Sequence, residues 1–491
     1  MSDKAIVIGA GLGGLAAACL LAKRGYTVQV FEKNRTPGGK MQQVQQGPYR
    51  FDTGPSLFTM PFILERLFRE CGKAMEDYLK IEEPEPLCRY FYRDGTRFDS
   101  YSDREDALSE IKRIAPEDAD SYNRFLEHTE ELYRKTSDAF IFNPLFELRD
   151  LKSLNLTDFL GIDAFSTVSG VVDDFFQSTY LRQFFKRFTT YNGSSPYQAP
   201  ATLNVIPHVE LNQGGYYVDG GLYQIALSLE KMATELGVSF RYNTDVKEIL
   251  TDSGVASGIR TLEGLVHKAD IVVANSDATD TILNLLPDDS VSGFKRKRQK
   301  KIEPSCSGFV LLLGCNASWD QLKHHNIFFS GDYRREFEQI FKEKQLPDDP
   351  TIYIANTSYT NPEHAPPGGS NLFILVNAPY LHSAQNWDTI TPEYSSFLIG
   401  ELESRGLTGL RDSIEFSETI NPADFYERYR SNRGSIYGTA SNSRFSAFLR
   451  PRNKLRNIDH LFLVGGSTHP GGGIPLVIQS AFNAMELLDR E

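Results

Sequence analysis

Gly9, Gly11 and Gly14 stand in G-x-G-x-x-G spacing, and Glu32 follows eighteen residues after the last of them. Glycines so spaced allow a tight turn, close approach of backbone to a pyrophosphate, and packing of a helix on a strand. A carboxylate at Glu32 accepts hydrogen bonds from ribose hydroxyls and repels a 2′-phosphate. The chemistry is dinucleotide binding, and not of NADP. Leu12, Gly13 and Lys33 belong to the same two loops.

The elements that must position these groups are legible around them. Residues 5–8 (AIVI) are a short continuous apolar run, as in a strand buried on both faces. Residues 14–24, rich in Ala and Leu, predict a helix that stops at Gly25. Its N-terminal N–H groups and dipole face the phosphates. Residues 27–31 return as a second strand ending at Glu32. Strand, glycine loop, helix, strand and terminal acid in that order are the context that lifts the motif above a common Gly-rich turn.

Further along, Thr36-Pro37-Gly38-Gly39-Lys40 and Phe51-Asp52-Thr53-Gly54-Pro55 resemble the GG-motif flavoproteins, which include amine oxidases, protoporphyrinogen oxidase and carotenoid desaturases. The resemblance implies FAD. It sets Gly38, Gly39 and Lys40 against the pyrophosphate and ribityl chain, and brings in Gly54, Pro55, Ser56 and Leu57. It also sets the backbone of Val246 against the adenine, and makes 269–275 (ADIVVAN, ending at Asn275) a late strand of the FAD domain. The C-terminal stretch GGSTHPGGGIPLVIQSA, from Gly465 and Gly466 through Gly473, Ile474 and Pro475, resembles the signature of bacterial-type phytoene desaturases and related carotenoid dehydrogenases. Phytoene desaturases usually show Asn-Pro in the loop that here reads GSSPYQAP (193–200). With TLNVIP at 202–207, this region looks more like the 1′-hydroxycarotenoid 3,4-desaturase branch.

The expected fold is α/β: a Rossmann-type FAD-binding domain with a discontinuous α+β substrate domain and a helical cap. The segments are 1–102, 220–302 and 441–491 for FAD, 103–219 for the cap, and 303–440 for the substrate sheet and helices. At 491 residues the chain is too long for one core. A net charge of −12 disfavours nucleic acid. No apolar run is long enough to span a bilayer, and the N-terminus runs directly into a strand, leaving no signal peptide. Five cysteines without C-x-x-C argue for a reducing compartment and against a zinc site. The expected location is cytoplasmic, at a membrane surface.

Between 137 and 197, Phe and Leu recur at helical spacing with Arg182, Lys186 and Arg187 interleaved. Internal helices of a substrate cap are the default reading, and amphipathic helices on lipid the rival. The basic run 295–301 (KRKRQKK) is either a solvated helix face or a patch for anionic headgroups. A helix is expected over 392–405, and a Gly-rich turn or hairpin over 212–221.

The family resemblance also implies a long apolar polyene substrate, with oxygen or quinone reoxidising the flavin. No residue is marked as catalytic. His469 is the nearest candidate proton acceptor, although packing that orients the glycine loop suits it better; His208, Glu210 and Asp219 are weaker. A cation formed by hydride loss is delocalised along a polyene, so a strong base is not required. The rivals are phytoene desaturase, an amine or porphyrinogen oxidase, and a non-enzymatic prenyl-lipid escort protein. The intact glycine set, Glu32 and the C-terminal loop speak against the last.

Overall fold

The structure is a computed structural model that describes residues 3–144, 146–147, 166–442 and 450–491. Two sheets organise it. The first has five parallel strands in the order Leu461–Leu463, Ile271–Ala274, Lys4–Ile8, Thr27–Phe31, Ser239–Arg241. It is buried on both faces. Ala5, Val7, Val28, Val30 and Val273 face one core with the helices Leu12–Lys23, Tyr223–Glu235 and Ile474–Leu488. Ile6, Ile8, Phe31, Val272 and Leu463 face another, covered by a three-stranded antiparallel sheet over Val246–Asp252, Val255–Thr261 and Val266–Lys268. The chain thus gathers three distant segments, near 4–31, 239–274 and 461–488, into one α/β unit.

The second sheet has seven strands, ordered Ile414–Ile420, Ser307–Cys315, Ser370–Ala378, Ile352–Asn356, His325–Phe328, Cys88–Phe91, Arg97–Ser100. Period-two alternation splits it into two faces. Phe309, Leu311, Ile352, Ile354 and Ile374 pack outward under the helix Trp387–Ser404, together with Trp387, Leu398 and Leu402. Val310, Ile327, Tyr353, Phe373 and Leu375 point inward and line a cavity.

Several expectations are corrected. The hairpin 88–100 lies in the second sheet, through parallel pairing of Tyr90 with Ile327, although its place in the chain suggested the segment 1–102. No local pattern announces that pairing. The helix expected from 392 starts at Trp387, because Asn386 caps it and Pro392 is tolerated inside. Residues 217–218 pair with Ile81–Glu82 rather than within their own hairpin.

The aromatic stripe is core: Phe176, Phe184, Phe185 and Phe188 are each at most 1% exposed and pack with Phe125 and Tyr90. Hydrophobic contact inside the cap therefore wins over lipid for 168–188, while 148–165 lie outside the described residues. The basic run forms the helix Gly293–Lys300, and its residues divide: Arg296 donates to the carbonyls of Leu283, Leu286 and Pro287, whereas Lys297, Arg298, Lys300 and Lys301 are exposed. Among the described residues no helix is long and apolar enough to cross a membrane.

Asp52 ties the glycine-rich loops to the helix behind them. It is buried, accepts both terminal nitrogens of Arg50 at 2.8 Å, and accepts the backbone N–H of Leu222 and Tyr223 at 3.0 Å. It therefore caps Tyr223–Glu235 from a distance. Asp52→Ala removes that cap and leaves a buried guanidinium without its carboxylate, so a loss of about 3–5 kcal/mol in urea unfolding is expected. A loss under about 1 kcal/mol would show the pair to be dispensable.

Candidate functional site

One internal cavity of about 690 Å³ runs from the edge of the parallel sheet to the inner face of the second sheet. At the first end, the glycine loop is held by close approaches that only glycine permits. A Cβ on Gly14 would lie 2.1 Å from the carbonyl oxygen of Gly9. The amide of Asn275 fills the space beside Gly11, Gly13 and Gly465, where added Cβ atoms would lie 2.7–2.8 Å from it. Gly38, at φ 107°, donates its N–H to Ala10 and is bridged to Gly11, which locks the second glycine motif onto the first.

Two helices present uncapped N-termini to this cavity. Leu12–Lys23 begins after Gly11 and Ile474–Leu488 after Gly473; neither has a side-chain cap or an acid in its first turn. Their unsatisfied N–H groups and positive dipole ends suit anionic or electron-rich groups. Glu32 is buried at the adjacent strand end. One carboxylate oxygen accepts from the Ala10 N–H at 2.7 Å, and the other from the backbone and side chain of Asn34 at 2.8 and 2.9 Å. One lone-pair site, on the oxygen that accepts from Ala10, remains for a ribose hydroxyl. Burial pushes its pKa up, against the hydrogen bonds that favour the anion.

Lys33, Gly39, Lys40, Gly54, Pro55, Ser56, Leu57, Val246, Asn275, Gly466, Ile474 and Pro475 line the same cavity. Lys40 is half-buried and donates to the carbonyls of Ser435 and Ile436; desolvation of its ammonium lowers its pKa to about 8, with Asp277 opposing. These residues fit FAD. Glu32 would accept from ribose hydroxyls, and the two uncapped termini with the bare backbone of Gly38 and Gly39 would face the electron-rich groups of the dinucleotide.

The catalytic candidates separate. His469 lines the cavity, but its Nε2 pairs with the Asn143 carbonyl at 2.8 Å, and burial lowers its pKa to about 4. It tethers the C-terminal glycine loop to the cap. His208 has both ring nitrogens engaged by Asn212 and Gln213 and does not line the cavity. Asp219 accepts from Asn361 and is likewise away from it. Glu210 does line it, held by Arg187 at 2.6 Å and Tyr191 at 2.5 Å.

Sequence reasoning missed the far end. His325, Ile327 and Tyr353 come from neighbouring strands, Thr351 immediately precedes the strand of Tyr353, and Arg450 comes from the C-terminal segment. Alternation within 325–328 and 352–356 carried a signal, because the odd-numbered positions face inward, but each strand is too short for the pattern to stand out. Arg450 is buried beside the Gly471 loop with no carboxylate partner among the described residues, donating to Pro470 and Ser441; burial lowers its pKa to about 10.

Behind the far wall, Thr351 and Ser330 donate to Glu336, a fully buried carboxyl whose pKa burial raises to about 7. The folded state then holds a proton that the unfolded chain releases above pH ~4.5. Stability from this group is complete below that pH and is lost as pH rises toward 7. Glu336→Gln should accordingly be more stable than wild type above pH ~8, by on the order of 3 kcal/mol, and equal to it near pH 4. A pH-independent difference in urea unfolding would contradict the assignment. Glu32→Ala should weaken FAD by about 1.5–3 kcal/mol, the value of hydrogen bonds to a charged group, in titration of the apoprotein. Unchanged affinity, or a folded protein that refuses FAD, would remove Glu32 or the cofactor from the site.

Comparison with known proteins agrees. The family model described as flavin-containing amine oxidoreductase matches residues 12–487. The chain is 37% identical to a 1-hydroxycarotenoid 3,4-desaturase of a Flavobacterium species, over 99% of both chains. It is 38% identical to a 4,4′-diapolycopene oxygenase of a Methylomonas species, over 98% of this chain and 96% of the other. An oxidoreductase from Methanosarcina mazei shares the fold at a TM-score of 0.69 and 18% identity, over 98% of this chain and 100% of its own. Matched from the first glycine loop to the last helix, the chain belongs to the flavin-containing amine oxidoreductases, among their carotenoid desaturase-type flavoproteins, and is an FAD-dependent oxidoreductase.

Proposed function

We propose that the protein introduces a carbon–carbon double bond into a long acyclic carotenoid, at C3–C4 of a 1′-hydroxylated end. The observation that carries this reading is a single cavity joining a dinucleotide site to an apolar floor. Bound FAD would supply the hydride acceptor. Val310, Ile327, Phe373 and Leu375 give the polyene an apolar surface and keep water away from the reacting carbons. No side chain is needed as a strong base, since charge left on the chain is spread along its conjugated system. Glu210 is committed to Arg187, and His469 to Asn143. Reoxidation falls to oxygen or a quinone.

The relative named 4,4′-diapolycopene oxygenase supports a second reading, addition of oxygen to the polyene. Phytoene desaturation is the alternative within the desaturases. Pigment analysis after co-expression with enzymes that make 1-hydroxylated or unhydroxylated acyclic carotenoids separates the three. Loss of two hydrogens from the hydroxylated pigment is expected. Gain of oxygen would favour the second reading, and conversion of phytoene alone would overturn the subtype.

The substrate class also argues for work at a membrane surface. A polyene entering water would expose surface at a cost of about 25 cal/mol per Å². Passing directly from lipid into an apolar cavity avoids that cost, because lipid tails are already apolar. Phe294 is 78% exposed on the helix that carries Lys295, Lys297, Arg298 and Lys300. An exposed ring among exposed cations suits an anionic bilayer. Pelleting with anionic liposomes, weakened by salt, is expected. Charge reversal at Lys297 and Arg298 should reduce it while FAD content holds. Full activity without liposome binding at any salt would contradict membrane docking.

A further inference from the structure

Arg450 is a buried cation on the cavity wall that no acid among the described residues balances. It is 8% exposed and lines the cavity beside the loop that leads into Ile474–Leu488. Nη1 donates to the Pro470 carbonyl at 3.0 Å and Nη2 to Ser441 Oγ at 3.3 Å. A Cβ on Gly471 would overlap Nη1, so bare backbone there admits the guanidinium to the loop. Both partners are neutral. Other cations of the wall are answered by acids: Arg187 by Glu210, Arg430 by Asp245, and Lys40 by the field of Asp277. Around Arg450, residues 443–449 (SRFSAFL) and 465–473 (GGSTHPGGG) contain no acid.

Holding a charge in a protein interior without a counter-charge is costly. Burial lowers the Arg450 pKa to about 10, with no acid among the described residues to raise it, and the group stays protonated at neutral pH. Neighbouring His469 adds no negative charge. Burial, with Arg450 itself, lowers its pKa to about 4 and leaves the ring neutral. The helix Ile474–Leu488 starts at the end of the same loop, with no side-chain cap and no acid in its first turn. Its dipole is positive there. A guanidinium and a helix terminus thus put two positive features at one loop of the cavity wall, and that loop carries no acid.

We propose that the flavin ring of FAD lies against this loop and that Arg450 is the counter-charge for the negative charge the ring acquires on reduction. A hydride brings two electrons and one proton to FAD, so the neutral ring gains one negative charge. Its donor is left with one positive charge, discharged by loss of a proton. Oxidised FAD gives Arg450 neutral acceptors, and reduced FAD gives it an anion. Arg450 therefore favours the reduced form and makes bound FAD a stronger oxidant. The pyrophosphate is the other anion that FAD brings. It is charged in both states, so a guanidinium spent on it would leave their balance unchanged. Any hydride donor would serve, so this role does not depend on which substrate the cavity takes.

The test measures two quantities: the two-electron potential of the FAD-loaded protein, read against a reference dye during slow anaerobic reduction, and the affinity of its apoprotein for oxidised FAD. Arg450→Gln keeps an amide donor but no charge, and Arg450→Lys keeps the charge. In Arg450→Gln, the ratio of affinities for reduced and oxidised FAD should fall about 10- to 100-fold, which lowers the potential by about 30–60 mV. Arg450→Lys should stay within about threefold of wild type, or ~15 mV. An unchanged potential in Arg450→Gln overturns the proposal. With oxidised FAD bound more weakly, that result would assign Arg450 to the pyrophosphate; with affinity unchanged, it would make Arg450 a tether of the glycine loop. Equal falls in Arg450→Gln and Arg450→Lys also overturn it, since geometry rather than charge would then set the potential. Should Arg450→Gln not take up FAD, wild type and Arg450→Lys decide. A potential above that of free FAD in both supports the counter-charge, and one at or below it in either overturns it.

Discussion

The side-chain amide of Asn275 is the contact on which the rest depends. It lies where Gly11, Gly13 and Gly465 would carry their Cβ atoms, and it reaches the carbonyl of Gly9 at 3.5 Å. Three segments more than 180 residues apart in the chain meet there, at the carboxyl ends of three adjacent parallel strands. The absence of side chains at these glycines brings the segments together, and one amide then fills the gap. The two uncapped helix termini follow from this meeting. One helix leaves the loop after Gly11 and the other leaves the loop after Gly473, so both positive ends reach the same cavity.

The glycines consequently serve two purposes. Gly11 leaves bare backbone facing the cavity, and it also admits Asn275. A larger residue there would damage the packing of the sheet edge as well as the cofactor site. Asp52 extends the arrangement, since the strand pair that carries the DTG sequence ends in a buried carboxylate that caps the next helix. Cofactor loops and hydrophobic core are one mechanical unit.

How far the sequence could be read follows from the range of the interactions. The first strand, glycine loop, helix and Glu32 were legible because their pattern is local and each residue type has one physical reason for its place. The edges of the cap were ambiguous, since Phe184, Phe185 and Phe188 at helical spacing suit a lipid face as well as a core. Only tertiary packing against Phe125 and Tyr90 decides between them. The pairing of Tyr90 with Ile327 joins residues 237 positions apart, and nothing in either strand names the other. The far wall of the cavity was hidden for the same reason: His325, Tyr353 and Arg187 are unremarkable until the sheet and the cap bring them together.

In the proposed function, FAD at the two helix termini and a polyene on the sheet floor share one cavity, and a hydride passes from the polyene to the flavin. Anaerobic mixing of the FAD-loaded protein with its polyene, in a single turnover, tests this most directly. The expected result is bleaching of the oxidised flavin band in step with, and equal in amount to, the new double bond, followed by recovery when an electron acceptor is admitted. Product formed while the flavin stays oxidised, or bleaching without product, would contradict it.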